Sequence, residues 1–306
     1  MKRIVSHIIV FFLLISPISL ARAENTINRD NELYEINMKR DLLCLMMAYP
    51  EHITNIQYKD GSVYLVMKSG TKILYDDKRQ KNFHEKLANP DLQDMMEEIY
   101  PLSPVTGLMD ENFDPGRYRV YSLLKDVYGS SKGEIEKNLT GVNCGYKNYL
   151  FNSNNKAAES LKNVMEELIP LAGKNIHVQR CLYPTNGTYN YRVISGTNRL
   201  SPHAFGIAID LARDKRDYWK WASREDGEKR LLDYSKKMVE IFEENNFVWG
   251  GKWGHFDILH FEYRPEIIIK AKYFTNKDNN DLWYEGAPLN DVSVKNYIEK
   301  INEVLK

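Results

Sequence analysis

Cysteine is scarce in this chain: three residues in 306, Cys44, Cys144 and Cys181. Three scattered thiols exclude a disulfide scaffold and a cysteine-rich zinc site, and an odd number leaves at least one without an intramolecular partner. Whether Cys144 and Cys181 pair depends on how closely their Cβ atoms approach, which spacing does not decide. An excess of either charge is also missing. Lys plus Arg and Asp plus Glu number 42 each, so no global field draws the chain to nucleic acid or to an anionic membrane. Internal repeats and low-complexity tracts are absent, and beyond the N-terminus no apolar run approaches the roughly 20 residues of a membrane-spanning helix. What remains is a chain with 43% hydrophobic residues, enough to fill the core of one large domain or two small ones.

The N-terminus has the layout of an export signal over residues 1–23. Met1, Lys2 and Arg3 give a basic start, His7 to Leu20 is almost wholly apolar, and Ala21, Arg22 and Ala23 offer small residues for cleavage. The mature chain is then expected to begin near Glu24, in the periplasm or outside the cell. An uncleaved anchor is the weaker alternative, because the apolar run is short for a bilayer span.

Asn31 to Met47 reads as a helix. Ser62 to Lys68 and Thr71 to Tyr75 read as a hairpin about Ser69 and Gly70, with Val63, Leu65 and Met67 alternating inward. Pro101, Pro104, Gly107, Pro115 and Gly116 mark irregular chain between Tyr100 and Tyr118, the expected boundary between an N-terminal extension (24–118) and a catalytic domain (119–306). Beyond it, Leu161, Val164, Met165, Leu168 and Ile169 recur at helical spacing, as do Leu231, Tyr234, Met238, Ile241 and Phe242. A last helix starts near Asn290 and Asp291. Two short strand-like stretches, Gly206 to Leu211 and Ile258 to Tyr263, hold the candidate chemistry.

In the first stretch Asp210 shares a strand face with the small Ala208, and His203 stands in the turn before it. In the second, Asp257 precedes His260 by three residues, after a loop rich in glycine and tryptophan. A catalytic zinc takes three protein ligands and keeps one position open. His203, Asp210 and His260 supply three, with His255 as a rival for His260. Attack on an amide also needs a group to take a proton, and Asp257 is placed for that, or else to orient a ligand histidine. Glu262, on the same face as His260, either orients that ligand or pairs with Arg264. Arg192, or Arg199, is a candidate to stabilise an oxyanion. Asp210 paired with Arg213 is the plain structural alternative. Of the tryptophans flanking Gly250 and Gly251, one is expected to line a groove, and Trp253 is the choice.

These residues resemble the zinc D-alanyl-D-alanine carboxypeptidase family, which includes VanY-type carboxypeptidases and the L-alanyl-D-glutamate peptidases of phage endolysins. The S-x-H-x-x-G-x-A-x-D element stands intact from Ser201 to Asp210, and the acidic-x-x-His element stands as Asp257 to His260. The resemblance is strong from about Tyr191 to Pro265 and covers less than half the chain. It implies zinc bound by His203, Asp210 and His260, Asp257 as acid/base, Arg192 at the oxyanion, and Ser201 as a substrate contact. It also implies an α+β fold, with a small antiparallel sheet carrying the zinc and packed against helices, beside the N-terminal helix and hairpin. The implied substrate is the peptidoglycan stem peptide, cut either as an L-alanyl-D-glutamate endopeptidase or as a D,D-carboxypeptidase. No nucleic-acid or specific membrane partner is expected. The reading from a different class is a non-catalytic wall-binding protein that keeps zinc for stability.

Overall fold

The structure, a computed structural model, describes residues 17–275 and 282–306. Of the expected export signal, residues 1–16 lie outside the described residues, and the rest opens the first helix, α1 (Pro17–Ala48), which starts well ahead of Asn31. No helix among the described residues is long and apolar enough to cross a membrane. After α1 come β1 (Ile53–Lys59), β2 (Ser62–Met67), β3 (Lys72–Leu74), α2 (Phe83–Ala88) and α3 (Leu92–Met96). An irregular stretch leads to α4 (Tyr121–Tyr128), α5 (Lys132–Lys137), β4 (Leu139–Asn143), β5 (Asn148–Asn152), α6 (Ala157–Lys174) and α7 (Ile176–Leu182). The site region follows: α8 (Pro202–Phe205), β6 (Ala208–Asp210), α9 (Arg224–Leu232), α10 (Lys236–Glu244), β7 (Phe247–Trp249) and β8 (His260–Tyr263). The chain ends with α11 (Pro265–Tyr273) and α12 (Val292–Val304).

This is an α+β architecture with small antiparallel sheets packed against helices. The hairpin read from the sequence is β2–β3, but it has a third strand, β1, joined to β2 through Asp60 and Gly61. Both turn residues have positive φ, 52° and 78°, as a tight hairpin with the twist of its strands requires. The helix expected from Leu231 to Phe242 is two helices. Ser235 caps the second by accepting from the Met238 N–H, and this local bond breaks the run that the apolar spacing alone suggested.

One apolar core runs from Leu42, Leu45 and Tyr49 through Leu65, Leu124, Leu161 and Phe205 to Phe261, Ile267 and Ile301. Residues on both sides of position 118 share it, because α1 packs on α11 and α12. The stretch from Tyr100 to Tyr118 is irregular, as its prolines and glycines predict, yet its polar groups are bonded into the later half of the chain. Tyr100 donates to Glu243 Oε1 at 2.6 Å, and the Trp253 indole donates to the Pro115 carbonyl at 2.8 Å. All three cysteines are free and buried, so the Cys144–Cys181 pairing left open by the sequence is not formed.

Candidate metal centre

The sheet β6-β8-β7 builds the centre. Antiparallel register sets Asp210 opposite His260, Ile209 opposite Phe261, and Ala208 opposite Glu262. Alternation therefore sends Asp210, His260, Ala208 and Glu262 to one face and Ile209 and Phe261 to the other. The second face is locked into the core, where Phe261 stacks on Phe242 with ring centroids 3.9 Å apart. Because that apolar face must stay buried, the polar one cannot turn away from the site.

His203 arrives from α8. Ser201 caps this single turn by accepting from the His203 N–H, Pro202 opens it, and Gly206 ends it at φ 69°. A side chain at Gly206 would place Cβ 2.7 Å from Leu139 Cδ2 and 3.2 Å from the Asn152 nitrogen, so glycine is required for both conformation and space.

The three ligand atoms form a triangle. Asp210 Oδ1 lies 3.1 Å from His203 Nε2 and 2.9 Å from His260 Nδ1, and the two imidazole nitrogens are 3.3 Å apart. Ligands on a tetrahedral zinc with bonds of about 2.0–2.1 Å lie roughly 3.3 Å from each other. The cluster is thus capable of holding a metal ion, and its two nitrogens and one carboxylate oxygen suit zinc. The outer nitrogens are committed as well. His203 Nδ1 donates to the Thr188 carbonyl at 2.6 Å, which leaves the Nε2 lone pair facing the centre. His260 Nε2 faces Glu262 Oε2 at 3.8 Å, and Glu262 is fully buried between Arg119 and Arg264.

Charge follows this geometry. Burial alone would raise Asp210, but the two imidazoles beside it hold its carboxyl well below the usual range. Burial alone would lower His260, but Asp210 and Glu262 push it up to about 10. Burial raises Glu262 too, yet Arg119 and Arg264 outweigh it and keep the carboxylate charged.

The triangle opens onto a cleft of about 480 Å³ that Asp257, Ser201 and Arg192 also line. Asp257 is half-buried, and burial pushes it up to about 7, helped by Asp210 and opposed by His260 and Arg117. Its backbone bonds Gly250 in both senses of closeness: the Asp257 N–H donates to the Gly250 carbonyl at 2.9 Å, and a Cβ on Gly250 would collide with the Asp257 carbonyl oxygen.

Several expectations change on this ground. Both tryptophans of the glycine loop are buried, at 3% exposure each. Trp253 is a wall of the cleft, its ring centroid 5.7 Å from that of His260, and the exposed tryptophan at the cleft is Trp221. His255 takes no part in the triangle, since its Nδ1 and backbone N–H are both taken by Asp114, at 3.0 and 2.9 Å. Arg213 does not pair with Asp210 but lies over the Trp221 ring. Arg216 is bound to Asp214 and leaves the cleft to Arg213. Glu262 finds its closest partner in Arg119, ahead of Arg264. The sequence reading missed Arg117 and Arg119, which line the cleft, and the Thr188 carbonyl. The only local signal for them was a pair of arginines next to the Pro115 and Gly116 turn. A second acidic group, Asp76, Asp77 and Asp91, is already served by an ammonium: Lys81 Nζ sits 3.0 Å from Asp77, 2.8 Å from Asp91 and 2.6 Å from Asp94.

No curated protein and no solved structure matches this chain. Residues 195–263, which span α8, β6, β7 and β8 with the whole His203, Asp210 and His260 triangle, match the D-alanyl-D-alanine carboxypeptidase family.

Proposed function

We propose that this protein is a zinc-dependent peptidase acting on peptidoglycan stem peptides. The observation that carries the reading is the convergence of His203, Asp210 and His260 on one cleft with a raised-pKa carboxylate, Asp257, beside them. When bound, zinc supplies Lewis acidity, acidifying water and polarising a carbonyl.

The chain's own residues do the rest. Asp257 takes the proton that the attacking water loses and returns it to the leaving amine nitrogen. Arg192 donates to the carbonyl oxygen as negative charge develops there. Ser201, whose Oγ caps α8, shapes the floor beneath the substrate, and Trp253 walls the cleft behind His260. In this reading the residues that carry the reaction lie within 119–306, and Arg117 lines the cleft from the segment before it. An export signal at 1–23 would deliver the enzyme to the compartment where peptidoglycan is reachable.

The test is digestion of purified peptidoglycan by wild type and by Asp257→Ala, with and without chelator, followed by mass spectrometry of the products. Chelator-sensitive products absent from the variant are expected, and their masses separate loss of D-alanine from a cut after L-alanine. A metal-loaded wild type that releases nothing from several wall chemotypes would end this reading and leave a zinc-stabilised wall-binding protein in its place.

A further inference from the structure

The cleft holds more positive charge than its ion pairs use. Arg117 is bound to Asp114 and Arg119 to Glu262. Arg192, Arg213 and Lys220 line the same cleft, and none of the three forms an ion pair among the described residues. Two carboxylates, Asp210 and Asp257, line the cleft as well, but both stand at the metal centre, so Arg213 and Lys220 on the loop after β6 leave a local excess of positive charge that suits an anion.

Two of these cations sit on one loop after β6, next to Trp221. Trp221 is 67% exposed, and the Arg213 guanidinium carbon lies 5.1 Å from its ring centroid. Tyr218 meets the same ring edge-on at 5.0 Å. The Arg213 guanidinium lies over the indole and makes no hydrogen bond or ion pair among the described residues, and a planar fork of donors matches a carboxylate. The loop is also fixed relative to Asp257. Tyr218 bridges Asp257 in antiparallel fashion, the Trp219 N–H donates to the Phe256 carbonyl at 3.0 Å, and buried Asp217 anchors the loop on Arg230 at 2.8 Å.

We propose that Arg213, held over Trp221 with Lys220 on the same loop, is a carboxylate-recognising subsite that makes this protein select acidic peptides. The inference rests on the peptidase reading for its substrate and adds what the substrate must carry: a free carboxylate at a fixed distance from the scissile bond. In a stem-type peptide that group is either the α-carboxylate of the glutamyl residue or the C-terminal carboxylate. The indole face beside it takes the apolar part of the same residue.

The experiment uses L-alanyl-γ-D-glutamyl-L-lysine and two counterparts, one amidated at the glutamyl α-carboxylate and one at the C-terminus. Binding to wild type, Arg213→Ala, Arg213→Lys and Trp221→Ala is measured by calorimetry, with cleavage followed in parallel. Arg213→Ala should weaken binding of the diacid about tenfold, and amidation of the recognised carboxylate should weaken wild type by a similar factor. Combining the two should add nothing further, Arg213→Lys should restore part of the loss, and the arm that is insensitive identifies the other carboxylate. All four proteins should melt alike, since the residues are exposed. Equal weakening of all three peptides by Arg213→Ala, or none, overturns the subsite, as does failure of wild type to bind the diacid. Carboxylate-dependent binding without any cleavage would instead keep the subsite and remove the peptidase reading.

Discussion

Arg119 holds both oxygens of Glu262, with its Nε 2.8 Å from Oε1 and 3.1 Å from Oε2, and Glu262 in turn faces the outer nitrogen of His260. An arginine from the chain before α4 thereby sets the orientation of a ligand on β8. The same carboxylate lies 3.5 Å from Arg264 Nη1, Arg264 bonds Glu266, and Glu266 accepts from the Tyr49 hydroxyl at 2.7 Å. The end of α1 is therefore linked to the metal centre through buried charges.

Glu262→Gln should keep the shape of this chain and lose its charge. The partner of a metal-binding histidine is typically worth about 10–100-fold in metal affinity, so zinc should bind weaker by that order. Competition with a chromophoric chelator reads it directly. Arg119→Ala, which removes the bidentate partner of a buried carboxylate and leaves it only Arg264 at 3.5 Å, should cost stability, with about 3–5 kcal/mol as the upper bound, and Arg119→Lys should recover part. Unchanged zinc affinity in Glu262→Gln would show that Glu262 is only part of the core.

Asp257 must be unprotonated to act as a base. Burial puts it at about 7 in the metal-free protein, and a cation beside it pulls that value down. The rate kcat/KM should therefore rise with pH along an acid limb centred below pH 7 and then level off. Asp257→Asn should lose about 10²–10⁴-fold in rate, abolish that limb and still bind one metal. A variant that keeps both the limb and the rate would move the base elsewhere.

His260 is raised from 6.5 to about 10 by Asp210 and Glu262. In the metal-free protein its pairing contributes fully below about pH 6.5 and is lost as pH rises through about 10. Metal competes with that proton. Zinc uptake near neutrality should release a proton, and affinity should fall as pH is lowered. Calorimetry in two buffers of different ionisation enthalpy measures the release; identical heats in both would contradict a protonated His260.

Glu98 accepts from the Asp114 N–H at 2.9 Å, and burial raises it to about 7, with Glu97 and Asp114 adding like charge. A carboxyl raised on folding costs stability once it ionises, so the penalty grows from about pH 4.5 to pH 7 and is constant above. Glu98→Gln keeps an acceptor for Asp114. It should stabilise by about 1 kcal/mol at pH 8, allowing for solvent screening of a partly exposed group, and by nothing at pH 4. Melting curves at the two pH values decide it.

The triangle was legible in the chain because its members lie in two short segments, and strand alternation sets the direction of Asp210 and His260 within them. Asp210 and His260 need only two strands in antiparallel contact to meet, the spacing of Ala208, Asp210, His260 and Glu262 already states which face they share, and His203 joins them from the single turn of α8 that leads into β6. Asp257 was singled out on other grounds, as a carboxylate three residues before a ligand and outside β8, where alternation does not set its direction. β1 was not recognised although Asp60 and Gly61 mark its turn, since its own outward residues outnumber the apolar ones. The helix break at Ser235 was hidden because apolar spacing continued across it.

Tertiary structure decided everything that depends on distant chain meeting the cleft. Trp253 and Trp221 have the same chemistry, and only packing buried one under Pro115 and left the other open under Arg213. Arg119 belongs to the site because Glu262, 143 residues away in sequence, holds it there, and Arg117 because Asp114, its near neighbour, is itself fixed by His255, 141 residues away. Local spacing determines which ligands share a face, since a strand repeats every two residues. Which arginines surround them is a matter of buried charge finding its partner, and no local period encodes that.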